Sequence, residues 1–296
     1  MKAAITTASG RLGRAIVKEM ITKIGEHNVI GVARSPEKAK DLGIEVRRGD
    51  YNNESDFVHA FRGVEVALIV SGMDAPDIRI QQHRNVIEGA KKSGVRKIVY
   101  TSIYGREGKS MFDAIIKSNR QTEKDIQAGG LEWAIGRNGL YIDADFEAIP
   151  DYKKEGIITN CAADGKCAYT SRAELARAYG HLIMDDSLNG QIYNLCGEAI
   201  TQQELTDVIN AVFNLELIYK PMSVDAYVQD RVKTHGDFLG HIVAGIYKGI
   251  RDGAFDILSD YVKVCGKEHQ SLTQMAEEFK ANGKPGVNKS CMINRT

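Results

Sequence analysis

The stretch Thr7-Ala8-Ser9-Gly10-Arg11-Leu12-Gly13 has the spacing of a phosphate-cradling loop, G-x-x-G-x-x-G, with threonine where the first glycine belongs. In such a loop the first glycine permits a tight turn, the second lets backbone approach a pyrophosphate, and the third lets the helix pack on its strand. Gly10 and Gly13 keep the last two roles. The helix that follows offers an anion its unpaired N–H groups and the positive end of its dipole. Hydroxyls of Thr6, Thr7 and Ser9 are expected to add hydrogen bonds, so the expected phosphate-binding set is Thr6, Thr7, Ser9, Gly10, Arg11, Leu12 and Gly13. A left-handed backbone at Thr7 costs a β-branched residue about 1–2 kcal/mol, whereas a negative φ costs nothing. The alternative to a nucleotide site is an ordinary strand-to-helix turn; its place at the first βα turn favours the nucleotide.

Arg34, twenty-one residues beyond Gly13, stands where an NAD site offers Asp or Glu to the ribose 2′-hydroxyl. A planar guanidinium suits the 2′-phosphate of NADP, with Lys38 adding a point charge, so NADPH is expected over NADH. Plain solvated charges are the other reading of Arg34 and Lys38. Asp50 could accept from the adenine amino group or cap the next turn. Ser71 and Gly72, in "IVSG", fall at the crevice where a dinucleotide crosses, with Met73 beside it, and Thr101 and Ser102, closing the next strand, are expected to bind the cofactor with them. Asn138, in "GRNGLY", could position the nicotinamide amide or satisfy loop backbone.

The elements that must position these residues alternate along the chain. "KAAITT", "NVIGVA", "IEVRRGD", "VEVALIV", "KIVYTS" and "LEWAIGR" read as short strands, most of them buried on both faces. Amphipathic helices are expected over Leu12 to Ile24, Ile78 to Ser93 and Phe112 to Ala128. This rhythm predicts an α/β fold, a doubly wound parallel Rossmann sheet, with a smaller, mostly helical C-terminal lobe. The expected division is a cofactor-binding domain over 1–138, an interleaved substrate lobe over 139–282, and a flexible tail over 283–296. Thr201 and Glu204 have capping-box spacing and Ser223 could cap the helix after it. The 296 residues are 43% apolar and 26% charged, with 39 basic against 39 acidic side chains. That balance argues against nucleic acid or an anionic membrane as partner. Five scattered cysteines and seven histidines without ligand spacing point to reduced thiols, no metal and a cytoplasmic location.

"TTASGRLG", "GVARSPEKA", "RRGDYNNESDFVHAFRGVEVALIVSG", "QQHRNVIEGAKKSGVRKIVYTS" and "RNGLY" together resemble the NmrA-like group of atypical short-chain dehydrogenase/reductases. The resemblance, which includes triphenylmethane reductases and type-2 quinone oxidoreductases, runs over nearly the whole chain. It implies a Rossmann domain, NADPH binding and a substrate cleft against the small lobe. Two departures stand out: the group's T-G-A-T-G-x-L-G has Thr7 and Ser9 here, and Asn119 replaces the histidine or lysine of relatives. Lys117 lies two residues away, which on a helix is another face. By its place in the pattern Arg172 faces the cleft; an exposed first-turn arginine would read the same.

Ordinary short-chain dehydrogenases use Y-x-x-x-K, which is absent: Tyr100 is followed four residues on by Tyr104, and Tyr104 by Gly108. Quinones and cationic dyes take hydride directly, so holding them against the nicotinamide is most of the task. Asn119, Lys117 and Tyr104 are the catalytic candidates; Tyr104, Tyr141 and Phe146 are the substrate-wall candidates, each also readable as core. The expectation is an NADPH-dependent reductase of a quinone-like or conjugated small molecule. An NADP-binding redox regulator without catalysis and a nucleotide-sugar epimerase are the rivals. The partner expected is a small molecule, and a homodimer is left open.

Overall fold

Runs such as Val66-Ala67-Leu68-Ile69-Val70 have no face suited to water and must lie inside a sheet covered on both sides. The computed structural model, which describes residues 1–108 and 112–282, has them there; the expected tail at 283–296 lies outside the described residues. The strands are β1 (Ala3–Ile5), β2 (Val29–Ala33), β3 (Glu45–Arg48), β4 (Val66–Val70), β5 (Lys97–Ile103), β6 (Glu132–Asn138), β7 (Leu140–Tyr141), β8 (Ile157–Asn160), β9 (Cys167–Thr170), β10 (Ile192–Leu195), β11 (Ala199–Ile200) and β12 (Ile218–Pro221). The helices are α1 (Arg11–Ile24), α2 (Glu54–Ala60), α3 (Pro76–Lys92), α4 (Asp113–Gln127), α5 (Asp143–Glu147), α6 (Ile149–Glu155), α7 (Arg172–Met184), α8 (Gln202–Phe213), α9 (Val224–His235), α10 (Asp237–Arg251), α11 (Tyr261–Cys265) and α12 (Leu272–Ala281).

The large sheet is parallel, in the order β10-β6-β5-β4-β1-β2-β3. Alternation sends Val66, Leu68 and Val70 to one face and Ala67 and Ile69 to the other. The first face is covered by α1, α7 and α11 through Ile16, Val17, Met20, Leu175, Tyr179 and Tyr261. The second is covered by α2, α3 and α4 through Phe57, Val86, Ile87, Ala90 and Ile126. Each fully buried Leu, Ile or Val contributes about 1.5–3 kcal/mol, so these two layers hold the sheet. The expected doubly wound sheet and helical second lobe are both present.

Beyond residue 138, α7, β10 and α11 return to the large sheet, and the remaining segments build the second lobe around Phe146, Ile209, Ile250 and Phe255. Two small sheets, β11-β9-β7 and β12-β8, brace that lobe. Thr201 and Glu204 do form a capping box at the start of α8, and Ser223 caps α9. No helix among the described residues is long and apolar enough to cross a membrane.

Candidate cofactor and substrate site

Strand order reverses between β1 and β4, and in such sheets ligands bind outside the carboxyl ends of the strands at that point. The turn after β1 is stretched between its neighbours: Thr6 N–H donates to Leu68 O and Ala8 N–H to Val32 O, each at 3.0 Å. Between them Thr7 has φ +49°, the left-handed region. The conformation suited to the missing glycine is therefore kept by a β-branched residue, at the strain cost anticipated above. Gly10 N–H closes the turn on Thr7 O at 2.8 Å. A Cβ on Gly13 would lie 2.2 Å from Thr7 O and 2.8 Å from its carbonyl carbon, so α1 is seated against the loop at a distance only glycine permits. The amides of Ser9, Leu12 and Gly13 have no backbone acceptor among the described residues, and the hydroxyls of Thr7 and Ser9 make no hydrogen bond there.

Replacing Thr7 by glycine relieves the left-handed strain while adding back unfolded-state entropy, a net gain of about 0.5–1 kcal/mol. Urea unfolding measures it. A variant no more stable than the parent would mean the strain is no larger than the entropy that glycine adds back.

Thr6 is corrected. It is fully buried, its Oγ1 accepts the Val70 N–H (2.9 Å) and pairs with Tyr51 OH (2.6 Å), and no hydroxyl is left for phosphate. Tyr51, whose OH also donates to Val70 O at 2.7 Å, is a loop anchor that sequence reading passes over. Arg11 pairs with Glu147, and Arg172 donates to the same carboxylate (3.0 Å) and pairs with Asp143 (3.4 Å). These acids of α5 thus link the start of α1 to the start of α7, and Arg172 is half-buried over the Tyr141 ring rather than a solvated charge. Arg14 grips Ser9 O, Asp41 and Lys38 O, fixing the Pro36–Leu42 turn beside the loop. Its guanidinium holds the Asp41 carboxyl below the ordinary carboxylate range. On this turn side Arg34 and Lys38 are exposed, and neither cation has a partner among the described residues. Asp50 takes the turn role: Oδ1 accepts Asn52 N–H at 3.0 Å and the Asn52 amide at 3.1 Å.

At the other end of the crevice, Ser71 and Gly72 follow β4 with Met73 69% exposed beside them. Thr101 Oγ1 accepts the Ser71 N–H (3.0 Å), so Thr101 supports the turn instead of facing outward. Ser102 points to the opposite side, donating to Glu123 at 2.6 Å. Asn138 joins three tyrosines: its Oδ1 accepts from Tyr179 (2.5 Å), its amide donates to Tyr141 (2.8 Å), and its carbonyl accepts the Tyr104 N–H (3.0 Å). Burial pushes the Tyr141 phenol up, with the Asn138 bond working against it.

Three side chains expected at the chemistry lie elsewhere. Asn119 is 2% exposed beneath the crevice, its Oδ1 accepting from Tyr100 OH (2.7 Å) and Ser71 Oγ (3.1 Å). Lys117 points to solvent and pairs with Asp113 at 2.6 Å, the face a two-residue offset on a helix dictates. Phe146 is core of the second lobe, its ring 5.4 Å from Phe279 and 6.4 Å from Phe213. Residues that sequence reading missed include Arg79, His83, Glu123 and Glu147; the signal for the first two was polar side chains on the apolar stripe of α3.

Residues 7–185 match the NAD(P)H-binding family. Quinone oxidoreductase 2 of Escherichia coli is 30% identical over 281 residues, 92% of this chain and 96% of that protein. An NmrA-like family domain-containing oxidoreductase of Aspergillus flavus is 30% identical over 77% of this chain and 76% of its own length. The structure of Citrobacter sp. triphenylmethane reductase complexed with NADP(H) superposes with a TM-score of 0.86 at 28% identity, covering 95% of this chain and 99% of the other.

Proposed function

We propose that this chain, which belongs to the NmrA-like family of NAD(P)H-binding oxidoreductases, reduces a quinone-like or conjugated small molecule with NADPH as hydride donor. The observation that carries the reading is the β1–α1 turn, where the Thr7 carbonyl and Gly13 approach within a distance that excludes any side chain. That close seat brings the start of α1 up to the loop, which is what a dinucleotide diphosphate needs. NADPH, when bound, supplies the hydride. The amides of Ser9, Leu12 and Gly13 hold the diphosphate, with Arg34 and Lys38 taking the 2′-phosphate. The Ser71–Gly72 turn and Asn138 fix the nicotinamide end. Tyr104, Tyr141 and Met73 wall the acceptor and keep water from it. Lacking a Y-x-x-x-K pair, such a site suits acceptors that take hydride without an enzyme-held acid. A quinone and a triphenylmethane dye, the compounds in the relatives' names, are of that kind.

The test is oxidation of NADPH with a panel of quinones and triphenylmethane dyes. Turnover with at least one supports the reading; tight NADPH binding with no acceptor oxidising it overturns the reading in favour of a non-catalytic NADP-binding role. Cofactor choice has its own test. Arg34→Ala removes charge-assisted bonds to a 2′-phosphate, so NADPH affinity should fall about 10- to 100-fold while NADH affinity stays unchanged. Equal losses for the two, read by fluorescence titration, would discard Arg34 as the phosphate reader.

A further inference from the structure

Gly72 has both of its backbone polar groups taken by side chains of one helix. His83 Nε2 accepts the Gly72 N–H at 3.0 Å, and Arg79 Nη1 donates to Gly72 O at 3.2 Å. The two residues are four apart on the buried face of α3, 1% and 4% exposed. Each is braced from behind by α4: His83 Nδ1 by Thr122 Oγ1 at 2.9 Å, Arg79 Nη2 by Ser118 Oγ at 2.7 Å. Because an amide N–H can only donate, Nε2 must be the bare nitrogen and Nδ1 carries the proton. Burial, helped by the Arg79 charge, brings the His83 pKa down to about 3, so this acceptor persists at neutral pH. Ser71 is tied in the same manner, its N–H to Thr101 and its Oγ to Asn119.

Arg79 is a costly choice for such a place. It has no carboxylate within 4 Å and its Nε has no hydrogen-bond partner among the described residues. An apolar side chain would fill the same space with less penalty. What the guanidinium adds is a planar fork that spans Gly72 O and Ser118, joining the crevice turn to α4.

We infer that Arg79 and His83 are positioning residues that set the Ser71–Gly72 turn and, through it, the seat of the nicotinamide half of the cofactor. The inference rests on the NADPH reading above. A turn at a strand end is mobile unless tied, and a displacement of about 1 Å at a reacting centre can cost about 10²-fold in rate. Side chains that never touch the cofactor thereby govern the reaction.

Two near-isosteric variants separate positioning from plain packing. His83→Gln keeps an acceptor at the Nε2 position and loses the Thr122 contact; His83→Asn keeps a group at the Nδ1 position and releases the Gly72 N–H. Each loses one hydrogen bond, so both should melt alike. The probes are NADPH and adenosine 2′,5′-bisphosphate, the adenosine half alone. For His83→Asn, NADPH affinity should fall about tenfold with adenosine 2′,5′-bisphosphate unchanged within about twofold, and His83→Gln should match the parent for both. Indistinguishable variants, or equal weakening of both probes, would overturn the inference. Should His83→Asn not fold, Arg79→Lys, which retains charge without the fork, must show the same NADPH-selective loss; a parallel loss of both probes, or none, again overturns it. A parent protein that binds neither probe would instead sink the cofactor reading itself.

Discussion

Gly13→Ala abolishes measurable NADPH binding, with affinity reduced by more than about 10²-fold, and lowers stability by about 3 kcal/mol or more. The added methyl would stand 2.2 Å from Thr7 O, 2.8 Å from Thr7 C and 3.2 Å from Ala8 Cα. All three are backbone atoms, so no side chain can rotate aside. Thr7 cannot turn its carbonyl away cheaply either. It is already left-handed, its oxygen accepts the Gly10 N–H, and the residues on both sides are hydrogen-bonded into β4 and β2. The remaining relaxation is to push α1 outward, which draws its N–H groups off the loop and opens the Ile16–Met20 packing beneath it. Gly10→Ala is the control, since its Cβ would meet the same oxygen at 3.2 Å and a shift of a few tenths of an ångström relieves it. Urea unfolding and NADPH fluorescence titration on the pair decide the matter. Gly13→Ala binding within about threefold of the parent would mean the helix start does not hold the diphosphate.

How far residue order reveals a site depends on whether the determinant is local. The spacing of Gly10 and Gly13 is a statement about neighbouring backbone, and the structure has the close approach at Gly13 that the spacing implies. The central strands were legible for the same reason, because Val66–Val70 is apolar throughout. Strand β10 was not, since Ile192-Tyr193-Asn194-Leu195 is a short alternating segment that, among the described residues, pairs with β6 alone. Side-chain direction is another matter. Thr6 looked available for phosphate, but Tyr51 and Val70, forty-five and sixty-four positions away, absorb its hydroxyl. Asn119 likewise belongs to Ser71, forty-eight positions away. Arg79 and His83 broke the apolar stripe of α3 without any local hint of what they hold, because Gly72 comes to them only when β4 enters the sheet.

Glu123→Ala should lower stability by about 3–5 kcal/mol and Tm by roughly 6–10 °C, with activity lost before unfolding. Glu123 is 3% exposed and is met by two guanidiniums: Arg137 at 2.9 and 2.5 Å, and Arg120 at 2.8 Å. Ser102 adds a fourth bond at 2.6 Å. Removing the carboxylate leaves two largely covered cations facing each other with no countercharge, which costs far more than the pair's own net contribution. The damage reaches the cleft because Arg120 also donates to Ile103 O (2.9 Å) and Gly105 O (3.2 Å), the carbonyls flanking Tyr104. Glu123→Gln keeps the volume and an acceptor for Ser102, so it should fall between parent and alanine variant. Its pH dependence carries a sign. Burial raises the Glu123 pKa, but Arg137, Arg120 and Ser102 outweigh it and bring the folded value below the ordinary 4.5. The unfolded chain therefore binds a proton first, the ion cluster's contribution is fully present above about pH 4.5, and it fades as pH falls through the folded value. The stability gap between parent and Glu123→Gln, taken from urea midpoints, should accordingly be wide near pH 7 and narrow as pH falls below about 4.5. A gap of constant width across that interval would mean the carboxyl has the same pKa folded and unfolded, and the electrostatic account of the Tyr104 loop would fail with it.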